Sequence, residues 1–305
     1  MTSADVWPDV RPDVRIRPMR PDDVVAAERL TAEGYHELDR RTFQRSGPEP
    51  ELRPPGRGAA WVARTSHLLG TDADGCWVAE ADGDLVGVAV SFTRELMWIL
   101  ASYAVRPGLQ GQGIGTQLMA AALHYGRGCL RGMLAASADP KAVRRYRLAG
   151  FALHPQMLLW GTVPREAIPV VERVRDGSLG DFDLMDSIDR RTRGAAHGPD
   201  HALLAGQLHL LVADRPSGSG YAYVDPSGAP VLVAATTRRT ASELAWAALA
   251  ASDPDVPVEI AHVTAANQWA IDIGMACRMD LHQRGYLALR HLAPPAPYLH
   301  HGSLL

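Results

Sequence analysis

The most informative stretch of the sequence is residues 103–119, which read YAVRPGLQGQGIGTQLM. A mostly apolar, strand-like run ends at Val105, and a helical pattern begins at about Gly113, so the stretch is predicted to form a strand, a turn and a helix. The turn also contains Gly111 and Gly115. Because glycine has no side chain, backbone N–H groups here can approach an anion closely, and the following helix N-terminus adds a partial positive charge. The sequence therefore predicts a loop that binds a diphosphate group.

Two other kinds of glycine loop do not fit this spacing. A Walker loop requires Gly-Lys-Ser/Thr, and residues 103–119 contain no lysine. A Rossmann fingerprint GxGxxG that begins at Gly111 would need a glycine where Thr116 stands. Such a loop would also usually follow the first strand of its domain, whereas several strands are predicted before this one.

The stretch V-R-P-x-x-Q-G-x-G-I-G resembles the acetyl-CoA motif of the GNAT superfamily of N-acetyltransferases, whose core is Q/R-x-x-G-x-G/A. Gln110, Gly113 and Gly115 occupy the core positions. A second similarity follows about thirty residues later, where AVRRYRLAGF at 142–151 resembles the family's A-x-x-x-Y-x-x-x-G-F helix. One departure is visible, because Asp139 stands where the family often has asparagine. An aspartate can still cap the helix that follows, so the departure implies no loss of function.

The resemblance implies an N-acetyltransferase that uses acetyl-CoA and transfers the acetyl group to a primary amine of a small molecule or peptide by direct attack. The strand that ends at Val105 would splay from its neighbour, and the pantetheine arm would pair with its backbone. The cofactor-binding residues implied in this way are Tyr103, Ala104, Val105, Gln110, Gly111, Gln112, Gly113, Ile114, Gly115 and Thr116.

Tyr146, at the family's tyrosine position, would be the catalytic acid that gives a proton to the departing CoA thiolate. The chemistry suits this role, because a tyrosine pKa of about 10 keeps the phenol protonated in neutral solution, while a thiol with a pKa of about 8.5 needs only modest help to leave.

The attacking amine must be neutral, and an alkyl amine with a pKa of about 10.4 needs a base or a water chain that leads to one. Glu80 and Glu95 are candidates, because each lies near a strand that approaches the cleft in this fold. A third candidate is the carboxylate of Leu305, since some tandem GNAT enzymes place their C-terminal carboxylate in the catalytic cleft. Surface carboxylates and an unattached terminus are the alternatives.

The length of 305 residues is about twice that of a typical domain, and the predicted order of strands and helices recurs in the second half. The predicted fold class is α/β of the α+β type, with two tandem GNAT-like domains, each a mixed, mostly antiparallel sheet flanked by helices. We expect a loose tail over 1–13, an acetyl-CoA-binding domain over 14–165 and a degenerate GNAT-like domain over 166–305 that ends in a C-terminal tail.

The second domain carries the pattern of elements without the glycine motif. No glycine occurs between Ala235 and Leu249, and Glu243 would repel an anion at the start of that helix. We therefore expect this domain to bind no CoA and instead to complete the acceptor pocket or to form a homodimer. In the first half, the proline- and glycine-rich segment 44–58 is expected to be a long loop or lid.

Composition excludes several other classes of protein. The formal net charge of −3 argues against nucleic-acid binding through bulk charge, and Leu96–Val105, the longest mostly apolar stretch, is too short to cross a membrane. The three cysteines lie far apart, which predicts no disulfide framework and a reducing cytoplasm. His197 and His201 flank a helix-breaking Gly-Pro pair, so we expect loop histidines and no metal site.

Two alternatives to the acetyltransferase stay open at this point. A non-catalytic acyl-CoA sensor or pseudoenzyme would use the same loop without turnover. A transferase for a longer acyl chain would need an open apolar tunnel beside Val105.

Overall fold

The computed structural model describes residues 13–43 and 48–305. The predicted tail lies outside this part of the chain except for Asp13, and so do residues 44–47 of the predicted loop. Within the described ranges, no helix has both the length and the apolar character needed to span a membrane.

The first half of the chain follows the order strand, two helices, three strands, helix, strand, helix, strand. Its elements are β1 (Arg15–Pro18), α1 (Val24–Thr42), α2 (Pro55–Thr71), β2 (Cys76–Ala81), β3 (Asp84–Arg94), β4 (Met97–Val105), α3 (Ile114–Tyr125), β5 (Arg131–Ala136), α4 (Pro140–Leu148) and β6 (Ala152–Gly161).

The second half repeats this order element by element and adds one short strand at the end. Its elements are β7 (Arg175–Asp176), α5 (Phe182–Thr192), α6 (Asp200–Ala205), β8 (His209–Ala213), β9 (Gly220–Val224), β10 (Pro230–Ala235), α7 (Arg238–Leu249), β11 (Val258–Thr264), α8 (Gln268–Ala276), β12 (Asp280–Arg290) and β13 (Tyr298–Leu299).

The strands of the described residues form two sheets, and the two halves exchange strands in the larger one. Its order is β1-β2-β3-β4-β5-β12-β6-β11, and the smaller sheet has the order β13-β10-β9-β8-β7. Strand β12 of the second half thus lies between β5 and β6 of the first, while β6 lies between β12 and β11. The first sheet is thus built from strands on both sides of the predicted boundary after residue 165.

Alternating side chains of the first sheet face two separate apolar cores. Along β3, Val88 and Val90 face a core that also holds Met185 of α5 and Tyr221 of β9, so this core joins the two halves. Ala89, between them, faces the core formed with α3. This alternation is what a sheet buried on both faces requires.

Several predicted elements differ from the observed ones. Helix α2 begins at Pro55, inside the segment predicted to be a loop, because proline is well tolerated in the first turn of a helix. The first strand of the second half, which the repeated order predicts, is only the two residues Arg175–Asp176. The last strand of that order, β12, is interrupted at Gly285 by a positive φ and a shift in register.

Candidate active site

Strands β4 and β5 separate part-way along their length and open a V-shaped gap. They pair in parallel only from Met97–Leu100 against residues 131–134. Beside Leu100, the pairing of β4 with β3 shifts register at Ala101, which is a β-bulge that bends the strand. Beyond it, the backbone N and O of Tyr103 each lie 3.4 Å from the hydroxyl of Tyr35 and have no strand partner on that side. The gap therefore exposes a strand edge that an extended ligand can pair with.

The glycine loop, residues 110–115, lies at the mouth of this gap. Gly111 and Gly113 have φ values of +89° and +91°, in the left-handed region that favours glycine, and an added Cβ at either would meet no atom within 4 Å. Gly113 is also the N-cap of α3, so the first N–H groups of that helix face the loop. The loop thus presents free backbone donors at the positive end of a helix.

Gly115 serves a different purpose from the two glycines before it. Its carbonyl accepts a hydrogen bond of 2.6 Å from the hydroxyl of Tyr103, and an added Cβ would lie only 2.4 Å from that oxygen. This glycine is therefore required by the close packing of α3 against β4.

A single cleft contains the glycine loop, the end of β4 and the start of α4. It has an empty volume of about 740 Å³ and is open to solvent. The cleft is lined by Gly34, Tyr35, Leu38, Arg41, Tyr103, Ala104, Val105, Gln110, Gly111, Gly113, Gly115, Ser137, Asp139, Lys141, Ala142, Arg145 and Tyr146. Of the other predicted cofactor residues, Ile114 is buried beneath the loop, while Gln112 and Thr116 are exposed beside it.

Tyr146 lies on α4 and faces the inner part of the cleft. The helix begins where the side chain of Asp139 accepts a hydrogen bond of 2.9 Å from the backbone N–H of Lys141, so aspartate does cap it. The ring of Tyr146 lies 6.2 Å from that of Tyr103, and its hydroxyl makes no hydrogen bond to any described residue. Burial raises the pKa of Tyr146 well above 10, so the phenol stays protonated and can act as an acid.

Three cationic side chains of the cleft were not among the predicted site residues. Lys141 and Arg145 follow one another on the same face of α4, and Arg41 comes from the end of α1. The Nζ of Lys141 lies 3.4 Å from Oε1 of Gln110, and Arg145 donates to the hydroxyl of Thr116 at 2.5 Å. Lys141 and Arg145 have the i, i+4 spacing of neighbours on one helix face, and Arg145 directly precedes Tyr146. This spacing was the signal by which the sequence could have revealed them.

Neither predicted glutamate lies in the cleft. Glu80 accepts a hydrogen bond of 2.7 Å from Nε of Arg17 on the neighbouring outer strand β1. Glu95 lies in the turn before β4, at the opposite end from Val105, and pairs with Arg190 at 2.7 Å. The length of β4 alone separates Glu95 from the glycine loop by roughly 25 Å. The structure therefore does not bring either carboxylate to Tyr146, since each has an arginine partner elsewhere.

The last residue, Leu305, is also placed outside the cleft. Its side chain is fully buried in the core between the two halves. Its main-chain oxygen accepts a hydrogen bond from Arg193, which also donates to the carbonyl of Leu304 at 3.2 Å. The buried guanidinium of Arg193 thus holds the end of the sequence against the second half.

The second half has no counterpart of the open cleft. Its strand β10 occupies the position that β4 has in the first half, and β13 pairs with it through Val233 with Leu299 and Ala234 with Tyr298. The edge that is free in β4 is therefore covered by the chain itself. In place of a glycine loop, the hydroxyl of Thr237 caps α7.

The two histidines expected in a surface loop are in fact fully buried. His197 and His201 have no exposed area, and their ring centroids lie 5.1 Å apart. The expectation of exposed loop histidines is therefore wrong. A Gly-Pro pair does prevent one continuous helix, but α6 starts directly after it and turns His201 toward His197.

Residues 33–151 match the sequence model of the Acetyltransferase (GNAT) family, a range that includes most of α1, β4, the glycine loop and α4. This range, which is less than half of the chain, is similar to a GNAT acetyltransferase domain. The resemblance seen in the two motifs therefore extends across the strands and helices that form the cleft.

Solved structures share the fold over most of the chain. A Pyrococcus horikoshii protein named as an acetyltransferase aligns with a TM-score of 0.70 at 19% identity, over 90% of this chain and 88% of its own. A GCN5-related N-acetyltransferase from Sphaerobacter thermophilus aligns with a TM-score of 0.58 at 17% identity, over 92% of this chain and 96% of its own. One from Kribbella flavida aligns with a TM-score of 0.57 at 15% identity, over 91% of this chain and 71% of its own.

These alignments confirm the mixed, mostly antiparallel α/β fold class. A comparison with curated proteins finds no similar sequence.

Proposed function

We propose that the protein is an acetyl-CoA-dependent N-acetyltransferase that acts on a primary amine of a small molecule or peptide. The observation that supports this most strongly is the meeting, in one cleft, of the unpaired edge of β4, the glycine loop and the protonated hydroxyl of Tyr146.

The residues of the cleft fit the three parts of acetyl-CoA. The N–H and C=O of Tyr103, which only the hydroxyl of Tyr35 contacts on that side at 3.4 Å, suit the amide groups of the pantetheine arm, because an extended chain can pair with a strand edge. The backbone of the glycine loop and the N-terminus of α3 suit the diphosphate. Lys141, Arg145 and Arg41 add positive charge around the same space, which favours a ligand with several phosphate groups.

In this proposal bound acetyl-CoA supplies the activated acetyl group, and the acceptor amine attacks it directly. Tyr146 donates its proton to the departing sulfur, because burial keeps its phenol protonated and therefore available as a donor when the thiolate leaves. The one carboxylate among the cleft-lining residues of the described chain is Asp139, which caps α4. We therefore propose that the amine proton leaves along water molecules of the open cleft to bulk solvent, which is its final acceptor.

We further propose that the second half is a degenerate GNAT domain that binds no CoA. The pairing of β13 with β10 and the absence of glycine from 236–248 support this. Its strand β12 lies beside β5, and Tyr286 of that strand packs against the core that contains Tyr146. The second half thus packs against the core behind Tyr146, while the residues that line the cleft all belong to the first half.

Calorimetric titration of the full chain with acetyl-CoA tests the proposal. We expect one site per chain, and we expect Gly113→Asp to abolish it, because the variant adds a negative charge and a side chain at a φ of +91°. Gly83→Asp is the matched control, since Gly83 has a φ of +84°, meets no atom within 4 Å and lies in the β2–β3 turn, outside the residues that line the cleft. The control should bind as the wild type does.

The outcomes separate the alternatives. Absence of binding would rule out both the transferase and the acyl-CoA sensor. Release of free CoA in the presence of one member of a panel of primary amines supports the transferase, whereas binding without release across the panel supports the sensor. Two sites per chain would contradict the degenerate second half.

A further inference from the structure

A buried cluster of two histidines and two aspartates lies in the second half, away from the cleft. Asp186 and Asp189 stand one turn apart on α5, His197 follows that helix, and His201 lies on α6. Nε2 of His201 lies 3.3 Å from Oδ1 of Asp186 and 3.3 Å from Oδ2 of Asp189. One ligand atom from each of Asp189, His197 and His201 lies within 4.8 Å of the other two.

The hydrogen bonds around His201 leave its Nε2 without a partner. The hydroxyl of Tyr223 donates to the carbonyl of His201 at 3.1 Å and lies 3.2 Å from Nδ1 of the same residue. When the single proton of that hydroxyl is donated to the carbonyl, Nδ1–H of His201 is the donor in the second contact. In the neutral ring, Nε2 then carries a lone pair, and it is fully buried with no hydrogen-bond partner.

A lone pair and two carboxylate oxygens that face one point repel each other unless a cation lies between them. Within the described residues, no arginine or lysine lies within salt-bridge distance of Asp186 or Asp189. The nearby guanidinium of Arg193 uses its nitrogens on main-chain oxygens, among them those of Ala195 and Ala196. The charge of Arg193 lowers the pKa of Asp189 from a distance, but among the described residues only histidines lie within salt-bridge distance of either carboxylate.

We propose that this cluster is a binding site for a divalent transition-metal ion of the Zn²⁺ type. The ligands are Nε2 of His201 and Oδ2 of Asp189, and Oδ1 of Asp186 lies near enough to Nε2 to supply the third. In a tetrahedral site with bonds of about 2.0–2.1 Å, neighbouring ligand atoms lie about 3.3–3.4 Å apart. The separations from Nε2 of His201 to the oxygens of Asp186 and Asp189, 3.3 Å each, have this value. Zn²⁺ fits the set because it accepts imidazole nitrogen together with carboxylate oxygen.

The surrounding groups orient these ligands. Nδ1 of His197 lies 2.7 Å from Oδ2 of Asp189, and Tyr221 donates to Oδ1 of the same carboxylate at 2.5 Å. The first separation is a hydrogen bond and is too short for two ligands of one ion, so His197 is a positioning residue. The side chain of Asp186 is 20% exposed, which leaves a route by which the ion can enter.

An ion at this point would also strengthen the junction between the two halves. The residue before His201, Asp200, accepts hydrogen bonds from Arg94 of β3 at 2.5 and 2.8 Å. It also lies 2.9 Å from Nε2 of His67 on α2. Helix α6 contains both the proposed ligand His201 and Asp200, the partner of Arg94. An ion that joins α6 to α5 would therefore also hold Asp200 in place against Arg94.

The test is zinc binding by the full chain after treatment with a chelator, measured by competition with a zinc-sensitive dye and by metal analysis after gel filtration. We expect one Zn²⁺ per chain, and a rise in Tm of roughly 5 °C at about a hundred times the Kd. His201→Gln and Asp189→Asn should each abolish this binding. His197→Ala should weaken it by about 10–100-fold, as expected for a residue that orients a ligand.

His209→Ala is the matched control, because His209 pairs with Asp176 at 3.1 Å on the surface and both side chains are more than half exposed. It should bind zinc as the wild type does. Circular dichroism of each variant separates loss of the site from loss of the fold, and the wild-type stoichiometry needs no variant. No zinc on the folded wild-type chain would overturn the proposal. Equal binding by the wild type and His201→Gln would overturn it too.

Discussion

Replacement of Gly115 by alanine tests the packing that holds the glycine loop against β4. An ideal Cβ at this position lies 2.4 Å from Oη, 3.3 Å from Cζ of Tyr103 and 3.4 Å from Cγ2 of Val105. The backbone of Gly115 is helical and has no positive φ, so the effect of the substitution is steric alone. The hydroxyl cannot simply turn away, because it donates to the carbonyl of Gly115 itself.

The magnitude follows from how far the two elements must separate. Cβ atoms essentially never approach another heavy atom closer than 3.0 Å, so at least 0.6 Å of movement is needed between the start of α3 and the end of β4. Overpacking of this kind costs about 1–3 kcal/mol of stability. Because the moved atoms carry the proposed phosphate-binding N–H groups, we expect the Kd for acetyl-CoA to rise about 10-fold or more, which is about 1.4 kcal/mol.

A double-mutant cycle with Tyr103→Phe isolates the cause. Phenylalanine removes Oη and leaves Cζ as the atom nearest to the added Cβ, at 3.3 Å. This contact is relieved when the ring moves by only a few tenths of an ångström. Tyr103→Phe alone should cost about 1 kcal/mol through the lost hydrogen bond. The pair should be more stable than the sum of the two single changes by about 1–2 kcal/mol.

Denaturant unfolding measures the stabilities, and calorimetric titration measures the affinities. Gly70→Ala is the control, because Gly70 is helical, exposed and meets no atom within 4 Å, so alanine should stabilise the chain by up to about 1 kcal/mol. Additive effects of Gly115→Ala and Tyr103→Phe would refute the steric reasoning. Unchanged affinity in a destabilised Gly115→Ala would refute the placement of acetyl-CoA at the loop.

Three further predictions follow from the same structure. Tyr146→Phe should lower the rate of CoA release about 100-fold and change the Kd for acetyl-CoA by no more than about twofold, and equal rates would contradict the acid role. Because burial raises the pKa of Tyr146, the phenol of the wild type should stay protonated, and its rate should not fall through loss of this acid as the pH rises to about 10. Asp139→Ala should destabilise the chain by about 1 kcal/mol in thermal unfolding, through loss of the α4 cap, and an unchanged Tm would show that the cap contributes nothing. The fragment 1–165 lacks β12 and exposes the edges of β5 and β6, so gel filtration should find aggregate, and a folded monomer that binds acetyl-CoA would contradict the shared sheet.

The location of the cleft could be predicted from sequence because its parts are neighbours along the chain. Strand β4, the glycine loop, α3 and α4 follow one another within residues 97–148. The start of α3 at a glycine and of α4 at Asp139 depends on local backbone and capping chemistry, which a few residues determine. The base candidates could not be placed in this way, since the partners of Glu80 and Glu95 are arginines 63 and 95 positions away.

The sequence alone thus determined the glycine loop, the helix that presents Tyr146 and the repeated order of elements, because each depends on contacts between near neighbours in the chain. Only the tertiary structure decided that β12 completes the first sheet, that β13 covers the edge of β10, and that His197 and His201 are buried beside Asp189. These features depend on which distant strands pair and which faces become buried, and such pairings are selected by the packing of the whole chain rather than by any local pattern.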